Sequence, residues 1–456
     1  NVNPIYAYKD TKKEILHDML KNEQIESLGL PIIDENKVVQ DFIFLSESGI
    51  KSFCGLEKIE EVSSNLKKIL VIGGAGYIGS VLVRELLQKN YGVVVLDKFI
   101  YGRKSLEEIK ENPKLKIIEG DTRHIEDITS AIKDIDAVVH LAELVGDRVC
   151  GLNPQETQEI NYLATKNIAS VCKHFQINRL VYVSSCSVYG ASKNNELLTE
   201  KSLLNPVSLY AKMKIVSENA LNEMSDENFC PTILRLGTVF GFSPRPRFDL
   251  VINLLTAKAI KENQITIFGG EQWRPHVHVL DVAKTIISVL ESPINQIKGE
   301  VFNVGSEKNN YTMNEIGKII KEIIPSSEII INPNENDNRD YKVSFSKLKN
   351  SLNVKMEKSV VEGVLEIKNA LNKNPFLEYQ NPEYSNFLCL KENNNKQKKR
   401  GKVLFIVHDV YQEDNELPLG PAYLSSCLRE AGHNVQIYSQ DVFHYSNEEL
   451  ANFLDN

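Results

Sequence analysis

The stretch Lys68-Ile69-Leu70-Val71-Ile72-Gly73-Gly74-Ala75-Gly76-Tyr77-Ile78-Gly79-Ser80 decides how the rest of the chain is read. The apolar run 69–72 makes a short strand, and glycines at 73, 76 and 79 follow at once, with Gly74 completing a G-x-G-x-x-G spacing. Such glycines let the backbone turn tightly and bring bare amides at a helix N-terminus up to a pyrophosphate. The helix continues through Val81-Leu82-Val83-Arg84-Glu85-Leu86-Leu87, and a second apolar run, Val93-Val94-Val95-Leu96, follows it. Asp97 closes that run, about 20 residues beyond the glycines, where a dinucleotide fingerprint places its ribose-binding acid. A glycine triplet alone is compatible with an ordinary turn. Strand, helix, second strand and acid in this order predict a βαβ unit that binds a dinucleotide. If the glycines served only helix-to-sheet packing, Asp97 would stand at a strand's end with no task.

Outward from this unit the strand-helix alternation continues, as a parallel sheet with helices on both faces requires. Leu115-Lys116-Ile117-Ile118 leads to Gly120-Asp121-Thr122, and Ala137-Val138-Val139-His140-Leu141-Ala142 is the next buried strand. One long helix is expected over 154–175, then Leu180-Val181-Tyr182-Val183 reaches Ser184-Ser185-Cys186-Ser187-Val188-Tyr189-Gly190. A further helix carries Tyr210-Ala211-Lys212-Met213-Lys214, and Thr232-Ile233-Leu234-Arg235-Leu236 is one more strand. The fold class is therefore α/β, a Rossmann doubly wound parallel sheet whose strand ends converge on one crevice. From about 237 a smaller substrate-binding region with polar loops is expected to act as a lid. Its helices lie near 249–262, 281–291 and 312–323, the last with a capping box from Thr312 and Glu315.

Length and composition bound the remaining choices. The 456 residues suggest two to four domains at about 150 residues each. A net charge of -8 argues against a nucleic-acid partner, which requires a basic face. No apolar run approaches the roughly 18 residues of a membrane span, and no charged-then-apolar leader opens the chain. A soluble cytoplasmic protein without a membrane partner is the default reading. The seven cysteines are scattered with no C-x-x-C pair, so neither a metal site nor a disulfide framework is indicated. The start at Asn1 and the stop in mid-pattern at Asn456 read as a stretch of a longer product, with the dinucleotide domain as its middle module.

The flanks have patterns of their own. Residues 1–65 hold an amphipathic helix around Glu14-Ile15-Leu16-His17-Asp18-Met19-Leu20, then Leu30-Pro31-Ile32-Ile33, a turn at Asp34-Glu35-Asn36, and another strand. This resembles half of a CBS module; such halves normally pair to bind adenine nucleotides, and with one half in view no ligand is assigned. Residues 66–374 form the dinucleotide-binding domain, and the Asn- and Lys-rich residues 375–400 read as a solvated linker. In 401–456, Lys402-Val403-Leu404-Phe405-Ile406-Val407, a helix over 422–431 and Asn434-Val435-Gln436-Ile437-Tyr438 resemble the opening of a flavodoxin-like, cobalamin-binding domain. The segment is too short for the whole of that domain, and no cobalamin function is assigned to it.

Chemistry enters with Tyr210 and Lys214, which at i and i+4 share one helix face. A phenol of ordinary pKa about 10 is a poor base at neutral pH, and an ammonium one turn away favours its ionised form. Ser185, at the end of a central strand, is placed to donate a hydrogen bond to the same substrate oxygen. A Y-x-x-x-K spacing arises by chance in many helices, and a serine after a strand is usually a cap. In order after a dinucleotide fingerprint, they point to a catalytic set of Ser185, Tyr210 and Lys214.

With these motifs assembled, residues 68–370 resemble an extended short-chain dehydrogenase/reductase of the NAD-dependent nucleotide-sugar epimerase/dehydratase family. The matching motifs are Gly73-x-x-Gly76-x-x-Gly79, Gly120-Asp121, His140-Leu141-Ala142, Ser184-Ser185-x-x-Val188-Tyr189-Gly190, Tyr210-x-x-x-Lys214 and Gly270-x-Gln272-x-Arg274-Pro275. The resemblance implies NAD as cofactor, held by Gly73, Gly76, Tyr77, Ile78, Gly79, Asp97 and Lys98. It puts Asp121 and Thr122 at the adenine, Leu141 and Ala142 along the cofactor, and Tyr210 and Lys214 at the nicotinamide ribose. It implies a nucleoside-diphosphate sugar as substrate, met by Ser185, by Arg274 on the diphosphate, and by Arg339 as a second diphosphate arginine that reads equally as a surface ion pair. A planar guanidinium fork suits phosphate oxygens. A homodimer is also implied.

Departures from the family pattern narrow the reaction. The related sugar 4,6-dehydratases carry Thr-Asp-Glu where this chain has Ser185-Cys186-Ser187, and the related glucuronate decarboxylases use a glutamate there. The expected reaction is NAD-dependent epimerisation of the sugar, most often at C4, by transient oxidation to a keto-sugar. Two alternatives stay open: an NAD(P)-dependent keto-sugar reductase, disfavoured by Asp97 against a 2′-phosphate, and a non-catalytic nucleotide-sensing scaffold in a fusion protein. Gly237-Thr238 replaces the epimerases' frequent Phe-Asn, and Glu143 replaces the usual small residue after His140-Leu141-Ala142. Residues 242–249, with Arg245 and Arg247, read either as a substrate contact or as a charged, mobile lid.

Overall fold

A computed structural model describes residues 66–191, 196–332 and 340–398, four residues between 424 and 429, and the strands Ala7–Tyr8, Leu28–Ile33, Val39–Leu45, Lys402–Val407 and Asn434–Ser439. The apolar runs become seven parallel strands: β1 (Lys68–Ile72), β2 (Gly92–Asp97), β3 (Leu115–Glu119), β4 (Ala137–His140), β5 (Arg179–Ser185), β6 (Cys230–Leu236) and β7 (Val301–Val304). Their order in the sheet is β3-β2-β1-β4-β5-β6-β7. Helices cover both faces of such a sheet, so its strands read as near-continuous Val, Ile and Leu. Leu70, Ile72, Val94, Val138, Leu180 and Ile233 all belong to one buried cluster on it. The strand order reverses between β1 and β4, whose register pairs Ile72 with His140, and ligands of this architecture bind at that point.

Helix α1 (Tyr77–Gln88) leaves the glycine turn and packs back on the sheet. The single helix expected over 154–175 is instead three pieces: Pro154–Gln158, a π turn at Glu159–Leu163, and α2 (Ala164–His174). The π turn accompanies an inward-turned Asn161, whose Oδ1 accepts from the Leu144 amide at 2.9 Å and whose Nδ2 donates to the Leu144 carbonyl at 2.8 Å. Single π turns of this sort are common at functional sites. Helix α3 (Leu209–Met224) follows β5 and carries Tyr210 and Lys214.

The C-terminal part of the domain has its own core, with Phe240, Ile252, Leu255, Ile316, Ile320 and Val364 buried together. Strand Trp273–His278 pairs in parallel with Thr238–Phe240 and antiparallel with Asn310–Thr312. The helix Met313–Ile323 starts with the expected capping box from Thr312 and Glu315.

Within the stretch 375–400 that composition reads as a solvated linker, the described residues 375–398 are folded against the domain. Leu377 and Tyr379 are buried beside Phe248, a 3-10 turn spans Pro382–Tyr384, and α4 (Asn386–Lys398) follows. Asn386 is buried, accepting from Arg245 Nη1 at 2.6 Å and donating its amide to Asp249 at 3.1 Å. The Arg148 guanidinium lies 4.1 Å over the Phe387 ring, and Phe387 and Leu390 pack against the cluster of Leu144, Val149 and Ile160. The polar run around Asn393 masks these few anchoring residues in the composition.

Residues 1–65 fall in a separate unit. Its strands Leu28–Ile33 and Val39–Leu45 pair antiparallel, as the strand-turn-strand pattern predicts, with a register shift at Ile32 and Ile33. The helix expected near Glu14 lies outside the described residues. Strands Lys402–Val407 and Asn434–Ser439 pair in parallel.

A buried ion pair ties α3 to the sheet. Arg235 on β6 reaches Glu218 at 2.6 Å, with side chains only 6% and 3% exposed. Ser184 donates to Glu218 at 2.5 Å, and Arg235 donates to the Tyr189 hydroxyl at 3.0 Å. Removing one partner of such a pair leaves an uncompensated buried charge. Arg235→Met is therefore expected to lower the unfolding free energy by about 3–5 kcal/mol, measured as a shift in urea midpoint.

Candidate active site at the carboxyl ends of the strands

The glycine turn lies at the switch point. Gly73 has φ +87°, its amide donates to the Leu96 carbonyl at 2.8 Å, and a Cβ there would sit 2.7 Å from the Ala142 nitrogen. Gly79 is closed for another reason: a Cβ on it would lie 2.2 Å from the Gly73 carbonyl oxygen. Gly76 is the N-cap of α1 and has no side chain to bond the first-turn amides. Those N–H groups, at the positive end of the helix, suit a pyrophosphate. Asp97 ends β2 and accepts from the Ala75 amide at 2.9 Å and the Phe99 amide at 2.8 Å. Burial holds its carboxyl above the usual carboxylate range, against the pull of those two amides.

Gly73, Gly76, Asp97, Lys98, Asp121, Thr122, Leu141 and Ala142 all line one cavity, so most of the expected cofactor residues come together. Tyr77 and Ile78 start α1, but the Tyr77 phenol is used internally, donating to the Gly241 carbonyl at 2.6 Å. Asp121 is held by Lys98 at 2.9 Å and by Arg123 at 2.7 Å. Burial works to raise the Asp121 carboxyl, yet the Arg123 and Lys98 hydrogen bonds prevail and hold it well below the usual range.

Glu143 in the lining of that cavity touches Lys214, which leads to the serine and tyrosine expected to be reactive. Ser185 ends β5, accepts from the Ser187 amide at 3.2 Å, and lies close to the Tyr210 phenol. Lys214 is 4% exposed, with Nζ 2.5 Å from the Val183 carbonyl and 5.8 Å from the Tyr210 ring centre. The same Nζ lies 2.5 Å from Glu143 Oε2, and the Tyr182 hydroxyl donates to Glu143 Oε1 at 2.7 Å. Burial raises the Tyr210 phenol above its ordinary value, and Glu143 adds to that rise; Ser185 and Arg247 oppose it. Burial, with Lys214 nearby, pushes His140 down to about 3, so it is a neutral ring bonded to Thr165 at 3.0 Å.

Residues 242–249 are folded inward. Arg245 lies 4.3 Å over the Tyr101 ring and Arg247 makes a forked pair with Asp249 at 2.9 and 3.0 Å. Arg274 is buried on strand Trp273–His278, donating to the Trp273 carbonyl at 2.8 Å and stacking on Tyr341 at 5.4 Å. Arg339 lies outside the described residues. Glu143 stood out in the sequence as a substitution, but its ion pair with Lys214 did not, and neither Asn161 nor α4 announced its place beside the site. Asn161 carries no spacing signal, since its task is to hold backbone atoms.

A doubly wound sheet with a glycine turn at its switch point, a serine at the end of a central strand and a tyrosine and lysine one turn apart on the helix α3 beside it defines a short-chain dehydrogenase/reductase. Residues 69–305 match the NAD dependent epimerase/dehydratase family, and the chain belongs to that family. Its cofactor is NAD, and the uncapped α1 amides, Gly73 and Asp97 fit that dinucleotide. The chain is 32% identical over 314 residues to a putative UDP-glucose 4-epimerase of Methanocaldococcus jannaschii, covering 67% of this chain and 99% of that one. It is 30% identical over 308 residues to UDP-glucuronic acid decarboxylase 1 of Arabidopsis thaliana, covering 65% of this chain and 68% of the relative. The crystal structure of UDP-glucuronic acid 4-epimerase from Bacillus cereus, in complex with UDP-glucuronic acid and NAD, superposes with a TM-score of 0.59 at 27% identity, covering 67% of this chain and 99% of that one. Among the described residues no helix is long and apolar enough to cross a membrane, and no group of three or more His, Cys, Asp or Glu is arranged to hold a metal ion.

The Asp121 cluster makes stability depend on pH. Its folded-state carboxyl sits below the unfolded value of about 4, so its stabilisation is full above that value and is lost as pH falls through it towards the folded one. In the cofactor-free protein, Asp121→Asn is expected to flatten the fall in thermal midpoint between about pH 4 and pH 2, read by calorimetry against the parent.

Proposed function

We propose that this chain epimerises a nucleoside-diphosphate sugar at C4. The observation that carries the reading is the meeting of Ser185, Tyr210 and Lys214, with the Lys214 ammonium 5.8 Å from the Tyr210 ring centre, joined to the side chains that follow Ser185. Cys186 is buried with Sγ turned to the Arg235 carbonyl at 3.3 Å, and burial pushes its thiol far up. Ser187 is likewise buried and is no acid. An elimination of water between C5 and C6 needs an acid and a base at these positions, and neither residue supplies one.

Bound NAD supplies reversible hydride acceptance. Gly73, Gly76 and the α1 amides would hold its pyrophosphate and Asp97 a ribose diol. Tyr210 takes the proton of a sugar hydroxyl as the adjacent carbon is oxidised, Ser185 donates to the same oxygen, and Tyr210 returns the proton after the sugar presents its other face. Lys214 supplies the positive field that a phenolate needs. Asp97 disfavours the 2′-phosphate of NADP, which supports a cycle that retains NAD over a net reduction. The Methanocaldococcus jannaschii relative, similar over nearly its whole length, agrees with this reaction class.

The purified protein is to be incubated with a panel of nucleoside-diphosphate sugars and the products read by NMR. Inversion at one ring carbon with no change at C6 is expected; a 6-deoxy-4-keto product or a lost carboxylate would overturn the assignment. Tyr210→Phe is expected to lower kcat by about 10²–10⁴-fold while NAD binding, followed by calorimetry, persists.

A further inference from the structure

Glu143 is a carboxylate where the mechanism asks for none. It follows Ala142 in the cavity lining, its side chain is 2% exposed, and burying a charge at this depth is costly unless it is paired. Both oxygens are engaged, one by the Tyr182 hydroxyl and one by the Lys214 ammonium. Asn161 holds the backbone of the next residue, Leu144, through both its amide and its carbonyl, so the carboxylate is aimed and not adventitious. The same ammonium is the group that favours ionisation of Tyr210.

We propose that Glu143 is a positioning residue for the Tyr210–Lys214 pair: by taking the Lys214 ammonium at 2.5 Å it offsets the positive field at the phenol and keeps Tyr210 protonated while the contact lasts. This rests on the reading of Tyr210 as the base. The charge balance is local. A carboxylate in contact with the ammonium nearly cancels its field a few ångströms further on, whereas an unpaired ammonium at the same place acts in full. The other titratable or charged groups around the pair come from each packed element. His140 on β4 is neutral, and Tyr182 on β5 is an un-ionised donor. Cys150, on the short helix Asp147–Cys150, is pushed up to about 12 by burial, and Asp147 opens that helix. Arg247, from the 242–249 loop, is paired with Asp249 and still favours the ionised phenol, and Glu218 on α3 is paired with Arg235. Of these groups Glu143 is the carboxylate in direct contact with the Lys214 ammonium, and its removal leaves that charge uncompensated beside Tyr210.

The test reads Tyr210 itself, with no sugar present. Phenolate absorbance is titrated in the cofactor-free protein and in its Tyr210→Phe counterpart, and the difference is compared with the same difference measured in Glu143→Gln. Glutamine keeps the size and an acceptor for Tyr182 while removing the charge. Ionisation of Tyr210 is expected to move down by at least about one pH unit, a tenfold change in proton affinity, and to return when Lys214→Met is added. Glu143→Ala is measured alongside, and reports the same shift should the glutamine variant not fold. An unchanged titration in both variants overturns the proposal, as does a shift in alanine without one in glutamine, which would mark a purely steric role. Because no substrate is turned over, failure of the epimerase assay leaves this result standing, and an unchanged titration leaves the epimerase reading intact.

Discussion

The architecture depends on how closely three strand ends approach one another at the switch point. The Gly73 amide bonds the Leu96 carbonyl of β2 while its α-carbon packs against the backbone of Ala142 beyond β4. Gly79 brings the first turn of α1 down on the Gly73 carbonyl. A single Cβ at either position would meet backbone, which cannot yield as a side-chain tip does. This contact fixes where the α1 amides open, and hence where a dinucleotide must lie. The rest of the site is then arranged along the line from Asp121 past Ala142 to Tyr210, the direction in which the sheet's carboxyl ends run.

What the chain reveals before folding follows from the range of each interaction. The βαβ unit, the parallel strands and the Tyr210–Lys214 spacing on one helix all rest on local periodicity and short spacings, and the fold has them as expected. The π turn at Glu159–Leu163 rests on Asn161 meeting Leu144, seventeen residues back in sequence, and nothing in helical periodicity reports it. Residues 375–400 misled for a related reason: Asn386, Phe387 and Leu390 do the anchoring, while the surrounding Asn and Lys set the composition. Local pattern carries backbone geometry well, and it carries long-range side-chain pairing poorly.

The helix α4 also changes how the crevice is bounded. Asn386 joins Arg245 and Asp249, Phe387 lies under Arg148, and the Cys389 thiol approaches the Ile100 carbonyl at 3.8 Å. One short segment therefore touches the loop after β2, the loop after β4 and the 242–249 loop. The first two of these loops line the cavity, so the chain beyond residue 381 buttresses them from behind although it carries no family motif.

Two buried ion pairs in this domain show that similar burial serves different ends. Arg235 and Glu218 are joined by a planar fork, with Ser184 and Tyr189 satisfying the remaining positions. A guanidinium in such a frame keeps its charge and its geometry, which suits a permanent brace between α3 and the sheet. Lys214 and Glu143 are joined by a single contact between a flexible stem and a carboxylate, with the Val183 carbonyl as a second acceptor for the ammonium. A lysine point charge on four rotatable bonds can exchange one acceptor for another at little steric cost. The first pair has every position of its fork filled, the second keeps an ammonium with two acceptors to choose between, and it is the second whose ammonium lies 5.8 Å from the Tyr210 ring centre.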